Sequence, residues 1–102
     1  MCYIIFVLFI QKLLWDQRNI FHIERHSVDP EEVEEVCCKQ PIIQRGTIKN
    51  RIVLIGPTHD ERLLNIVLEG RGKGMYYVIT AYDASAKDIK LYKRLKGGED
   101  TK

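Results

Sequence analysis

Three histidines, a scatter of arginines and lysines, and a few tyrosines are the residues of this 102-residue chain with chemistry to offer. His22 and His26 lie four apart, so on a helix they share a face. That spacing suits a pair of metal ligands, yet the sequence places no third ligand nearby, and a metal is not expected. An imidazole also titrates near neutral pH, which makes His22 or His26 a candidate acid–base group. His59 stands beside Asp60 and Glu61, acids that would hold its protonated form and fit it for the same work. Arginine's planar fork grips phosphate at two points. Arg45, Arg51 and Arg62, with Lys49 in a linking loop, fall on or between neighbouring predicted strands. The plain alternative for each is a solvent-facing side chain.

These residues need a scaffold, and the clearest part of it runs from Trp15 to Val36 as two short helices around a tight corner. Asp16 or Asn19 caps the first, with Ile20 and Ile23 on one face. The second opens with Asp29 as N-cap, Pro30 at the first helical position and Glu32 placed to close a capping box. Its glutamates, Glu31, Glu32, Glu34 and Glu35, sit toward the positive end of the helix dipole, and Val28, Val33 and Val36 form its buried stripe.

Beyond Pro41 the apolar runs are short and bounded by turn residues. Ile42–Arg45, Arg51–Ile55, Arg62–Leu68 and Met75–Thr80 are expected strands, closed by Gly46, Gly56-Pro57 and the glycine-rich turn 70–74. Asp83 or Ser85 caps a last helix carrying Ile89, Leu91, Tyr92 and Leu95. Short turns between successive strands mean an antiparallel sheet, with helices on one face of it. The expected class is α+β in one domain over residues 15–96. Residues 1–14 are an apolar strand or an extension, and residues 97–102 a flexible tail. The opening MCYIIFVLFI is too short to span a membrane, and Gln11-Lys12 interrupts it.

Net charge is only +2, but it is unevenly placed. Residues 1–44 carry −3 and residues 45–102 carry +5. A basic second half points toward a polyanion, and the acidic second helix and basic sheet would form surfaces of opposite sign. Three cysteines, two of them the neighbours Cys37 and Cys38, argue against a disulfide framework and for a reducing cytoplasm.

Four segments in order resemble one family. WD…N…HI…H.V..EEVEEV from Trp15, R-x-V-L-I-G-x-T from Arg51, R-L-L-x-I-V-L from Arg62 and Y-Y-V-I-T-A-x-D-A-S…Y from Tyr76 look like the BrnT toxins of bacterial toxin–antitoxin pairs. The resemblance covers about residues Trp15 to Leu95. It implies a small RelE-like α+β fold with two N-terminal helices and one C-terminal helix. It also implies endoribonuclease activity on mRNA and a ribbon-helix-helix antitoxin, in a homodimer or a heterotetramer with that partner. No cofactor is implied.

Cleavage of RNA needs no metal if the 2′-hydroxyl is the nucleophile, provided that the protein supplies a proton acceptor, a proton donor and a cation. Arg62 falls where the family has a strand-opening arginine, which makes it the first choice for the phosphate. Tyr82, His22 and His59 complete the catalytic candidates, and Arg45, Lys49, Arg51, Arg62 and Tyr92 the RNA-binding ones. Three positions depart from the family pattern: Tyr82 replaces an arginine, Asp88 a glutamate, and Ser27 a glycine at the corner between the helices. A tyrosine can donate a proton or stack on a base but cannot neutralise phosphate. The rival expectation is therefore an inactive BrnT-like module that binds an antitoxin or RNA without cutting.

Overall fold

Two capping boxes organise the N-terminal half. The computed structural model describes residues 10–46 and 48–97. After a short strand β1 (Lys12–Leu14), helix α1 (Gln17–Glu24) starts at Asp16, whose carboxylate accepts the Asn19 N–H while the Asn19 side chain accepts the Asp16 N–H. Helix α2 (Pro30–Cys38) starts the same way, with Asp29 and Glu32 exchanging bonds and Pro30 in the first turn. Each box satisfies two N–H groups at a helix start. Buried Asn19 also donates to the Leu14 carbonyl at 2.9 Å, tying β1 to α1.

The corner between the helices needs a left-handed residue, and Ser27 supplies it at φ 60°. The Val28 N–H reaches back to the Ile23 carbonyl and the Ser27 N–H to that of Glu24, the paired bonds of a Schellman closure. Val28 and Ile23 are both buried there. The strain of a side chain in that conformation, about 1 kcal/mol, is the penalty expected at this position.

Strands β2 (Ile42–Arg45), β3 (Arg51–Pro57), β4 (Leu63–Gly70) and β5 (Met75–Asp83) follow as an antiparallel meander, and α3 (Ala86–Gly97) closes the described chain. The order across the sheet is β1-β5-β4-β3-β2. The expected purely antiparallel sheet is corrected at one edge, because β1 pairs parallel to β5, Leu13 opposite Tyr76. The helix pair and three strands intervene between them, ample chain for the crossover that a parallel neighbour requires. Residues 1–9 of the expected N-terminal strand lie outside the described residues.

Helices cover both faces of the sheet, not one. Leu54, Leu64, Ile66, Leu68, Val78 and Ala81 form one core with Ile23, Val33 and Val36 of α1 and α2. Ile55 is also fully buried but lies outside that cluster, on the face where α3 packs. On that face Asn65 donates to Asp88 of α3 at 3.0 Å. Strands apolar on both sides, such as 52–55 and 63–68, are the mark of a sheet covered twice. At Gly56 a Cβ would stand 2.9 Å from that of Pro41 and 3.2 Å from Val36, so only glycine lets α2 and its exit close over β3.

A meander also sorts its turns by end. The β2–β3 and β4–β5 turns share one end of the sheet, and the β3–β4 turn lies at the other.

Candidate active site

Arg62, just before β4, sits beneath the corner between α1 and α2. Its Nε donates to Asp83 at 2.7 Å, and its Nη1 to the Ser27 carbonyl at 2.8 Å and to both Glu32 carboxylate oxygens at 3.1 Å. Nη2 donates to the His26 carbonyl at 3.3 Å. The two carbonyls are among those that a helix end leaves without partners, and a cation there suits the negative end of the dipole. Hydrogen bonding to Asp83 raises the guanidinium's pKa further; burial opposes this and Glu32 adds to it. Four of its five N–H donors are thus directed to protein acceptors. Two carboxylates flank one guanidinium, so the immediate surroundings hold no spare positive charge.

Over this anchor runs a row of rings. The His22 and His26 centroids are 5.7 Å apart, and His26 lies 5.8 Å from Tyr82, edge to face in both cases. Both histidines are exposed and Tyr82 is half-buried. Positioning is firm at each end. Asp16 accepts a bond from the Tyr77 hydroxyl at 3.1 Å, fixing α1 against β5, while Arg62 holds the carbonyls at the other end of the helix. The Asn19 N–H bond foremost, with Tyr77 and Arg18 adding and burial opposing, holds the Asp16 carboxyl below its usual range. Burial, then the bond to Asp16, pushes the Tyr77 hydroxyl up. The result is three proton-carrying side chains in a line at an open corner. Among the described residues, no group of three or more His, Cys, Asp or Glu is gathered closely enough to hold a metal ion.

The remaining candidates lie elsewhere. His59 pairs with Glu35 of α2, through Nδ1 at 3.3 Å and its backbone N–H at 2.9 Å, and not with Asp60 or Glu61 as expected from their adjacency. Arg45, Lys49 and Arg51 gather at the opposite end of the sheet from Arg62. Eight residues of β4 at about 3.3 Å each put the two ends roughly 25 Å apart. Arg45, Lys49 and Arg51, although on strands or loops next to the one Arg62 opens, thus do not meet it on one patch, whereas His26 does lie beside both Arg62 and Tyr82. Tyr92 is half-buried on α3, its hydroxyl pKa raised by burial. Asp88 accepts bonds from the Ser85 N–H and the Asn65 amide, which makes Ser85 and not Asp83 the cap of α3.

Two features escape a reading of the sequence. Three of the four glutamates of α2 fasten other parts of the fold: Glu32 holds Arg62, Glu34 accepts from Trp15 Nε1 at 2.9 Å, and Glu35 holds His59, while Glu31 is exposed. Arg71 and Tyr76 join Arg45, Lys49 and Arg51 around one groove. The second was legible in principle, since alternate turns of a meander share an end.

The sequence matches no protein-family model and no curated protein. The fold is similar to that of the Brucella abortus ribonuclease toxin BrnT, known from a 1.1 Å crystal structure. The TM-score is 0.59 at 21% identity, covering 72% of this chain and 96% of that one. The class of protein is thus a small, single-domain α+β fold of the BrnT kind, with the sheet mixed. No helix among the described residues is long and apolar enough to cross a membrane.

Proposed function

We propose that this protein is an RNA-cleaving toxin that cuts without metal at the ring row of His22, His26 and Tyr82. The observation that carries the reading is the placing of those three rings within 6 Å steps at an open corner, in a fold shared with a ribonuclease toxin. One histidine takes the proton of the 2′-hydroxyl as that oxygen attacks the neighbouring phosphorus. The bond from phosphorus to the 5′-oxygen breaks, and the other histidine gives that oxygen a proton. The products are a 2′,3′-cyclic phosphate and a 5′-hydroxyl. Tyr82 donates a hydrogen bond to a non-bridging oxygen. Arg62 acts here as a positioning residue, through the His26 carbonyl, with one Nη2 N–H left for substrate. His59, held by Glu35, has no part in this arrangement. A ribbon-helix-helix antitoxin, a cytoplasmic setting and a homodimer or heterotetramer belong to the same proposal, on the strength of the family resemblance.

A second reading has its own support. Glu32 and Asp83 enclose Arg62, so that guanidinium is not free to clamp phosphate beside the rings. A module of this fold that binds an antitoxin or RNA without cutting fits that charge pattern. Purified protein incubated with labelled RNA in chelator separates the two. Cleavage that leaves cyclic phosphate ends, and stops when the 2′-hydroxyl at the cut is replaced by hydrogen, supports the enzyme. Intact RNA, together with unchanged cellular RNA and growth on induced expression, supports the module.

A further inference from the structure

At the end of the sheet away from the ring row, the β2–β3 and β4–β5 turns enclose an open groove of about 940 Å³. Arg45, Lys49, Arg51 and Arg71 line it, and among the described residues no carboxylate does. Glu69, just outside, pairs with Arg51 at 3.5 Å and with Arg71 at 2.9 Å. Arg45 and Lys49 are exposed and form no ion pair among the described residues. The groove also has an aromatic member. Tyr76 pairs with Gly70, and its ring edge passes 3.6 Å from where a Cβ of residue 70 would be. Tyr76 is half-buried and packs against the core, and at Gly70 no side chain covers the ring edge.

We infer that this groove binds single-stranded nucleic acid, with Arg45 and Lys49 on the phosphates and the Tyr76 ring as a stacking platform for a base. Cations that track a backbone, combined with an aromatic face, are the two parts such binding needs, and every base offers a π-face, so the binding is tolerant of sequence. Glu69 offsets Arg51 and Arg71, and Arg45 and Lys49 are the cations left to meet a polyanion. An acidic polypeptide would meet the cations equally well but has no use for the ring, and this favours the nucleic acid. The inference rests on the RNA reading for its purpose: Tyr76 lies about 20 Å from Tyr82, six residues along β5 at about 3.3 Å each, and an anchor there would hold a chain while its remainder crosses the corner.

The test is a binding titration with labelled oligouridine, an abasic phosphodiester chain of equal length, and polyglutamate, on the full chain at several salt concentrations. Wild type binds oligouridine about tenfold more tightly than the abasic chain. Each single-strand phosphate contact contributes about 0.7 to the slope of log affinity against log salt, so Arg45→Ala with Lys49→Ala flattens it by about 1.4. Tyr76→Leu brings oligouridine down to the abasic level and leaves the abasic chain unaffected. Equal slopes and affinities for wild type and the double variant overturn the inference. So does tight polyglutamate binding, lost in the double variant, without oligouridine binding, for then the groove docks a protein. His26→Ala keeps the two proposals apart. Binding that obeys Arg45 and Lys49 while no protein cuts RNA leaves the groove standing and removes the nuclease; cutting with binding indifferent to them does the reverse.

Discussion

At Arg62 one guanidinium serves four acceptors, and that settles what its loss must do. Arg62→Ala strips a partner from half-buried Glu32 and from the carbonyls of His26 and Ser27. The expected cost is about 2–3 kcal/mol in urea unfolding, with little of it from exposed Asp83. Arg62→Lys recovers less than half, because an ammonium cannot match the fork. A side chain free for phosphate alone would leave the unfolding midpoint where it is. Ser27 supplies the converse case. Ser27→Gly, at φ 60°, stabilises by about 1 kcal/mol, measurable as a raised Tm. The family resemblance, with its glycine at that corner, pointed to such a position, and it also singled out Arg62. What Arg62 does was not legible there, since its acceptors come from positions 26, 27, 32 and 83, and no local pattern reports such distant partners.

The elements followed from local chemistry wherever a cap declared them. Asp16, Asp29 and Pro30 mark both N-terminal helices in the sequence; the Asp29–Glu32 box closes as expected, and Asp16 with Asn19, expected only as alternative caps, form a second box together. The far side of the sheet was harder to see, because α3 is anchored through Asn65 and Asp88, which lie 23 positions apart. Asp88 lies below its usual value of 3.8. Burial raises it, but bonds from the Ser85 N–H, the Asn65 amide and the Ser85 hydroxyl together outweigh that. A depressed folded pKa favours folding above the unfolded value, and the benefit disappears as pH falls through the folded one. Stability should therefore decline below about 3.8, and Asp88→Asn should flatten that decline in denaturant unfolding at stepped pH. A variant with the same acid slope as wild type would remove Asp88 from that role. Cys37, its thiol pushed up to about 12 chiefly by burial, with Glu34 and Cys38 adding, stays protonated and slow toward alkylating reagents in the native state.

On the scale of the molecule, the sheet separates two chemistries that the sequence runs together. Arg51 and Arg62 are eleven positions apart in the chain but stand at opposite ends of the β3–β4 hairpin. Charge counted by halves of the sequence places the basic groove in the right half, residues 45–102, but does not say at which end of the sheet it lies. Glu32, Glu34 and Glu35 of α2 fasten other parts of the fold, while the cations of two turns add up at one end. Topology, more than composition, decides where a polyanion is met. In the proposed reaction the corner with its three rings is the place for proton transfer, and α1, β5 and Arg62 together hold it in place.

The most direct measurement is the single-turnover cleavage rate of a labelled RNA in chelator, compared among wild type, His26→Ala and Tyr82→Phe with folding checked for each. Removing a positioned acid–base group should slow the reaction by about 100-fold or more in His26→Ala. Tyr82→Phe should lie between the two, with cyclic phosphate ends throughout. A His26→Ala protein that is folded and cuts at the wild-type rate would contradict the account, because the central ring of the row would then take no part in the reaction.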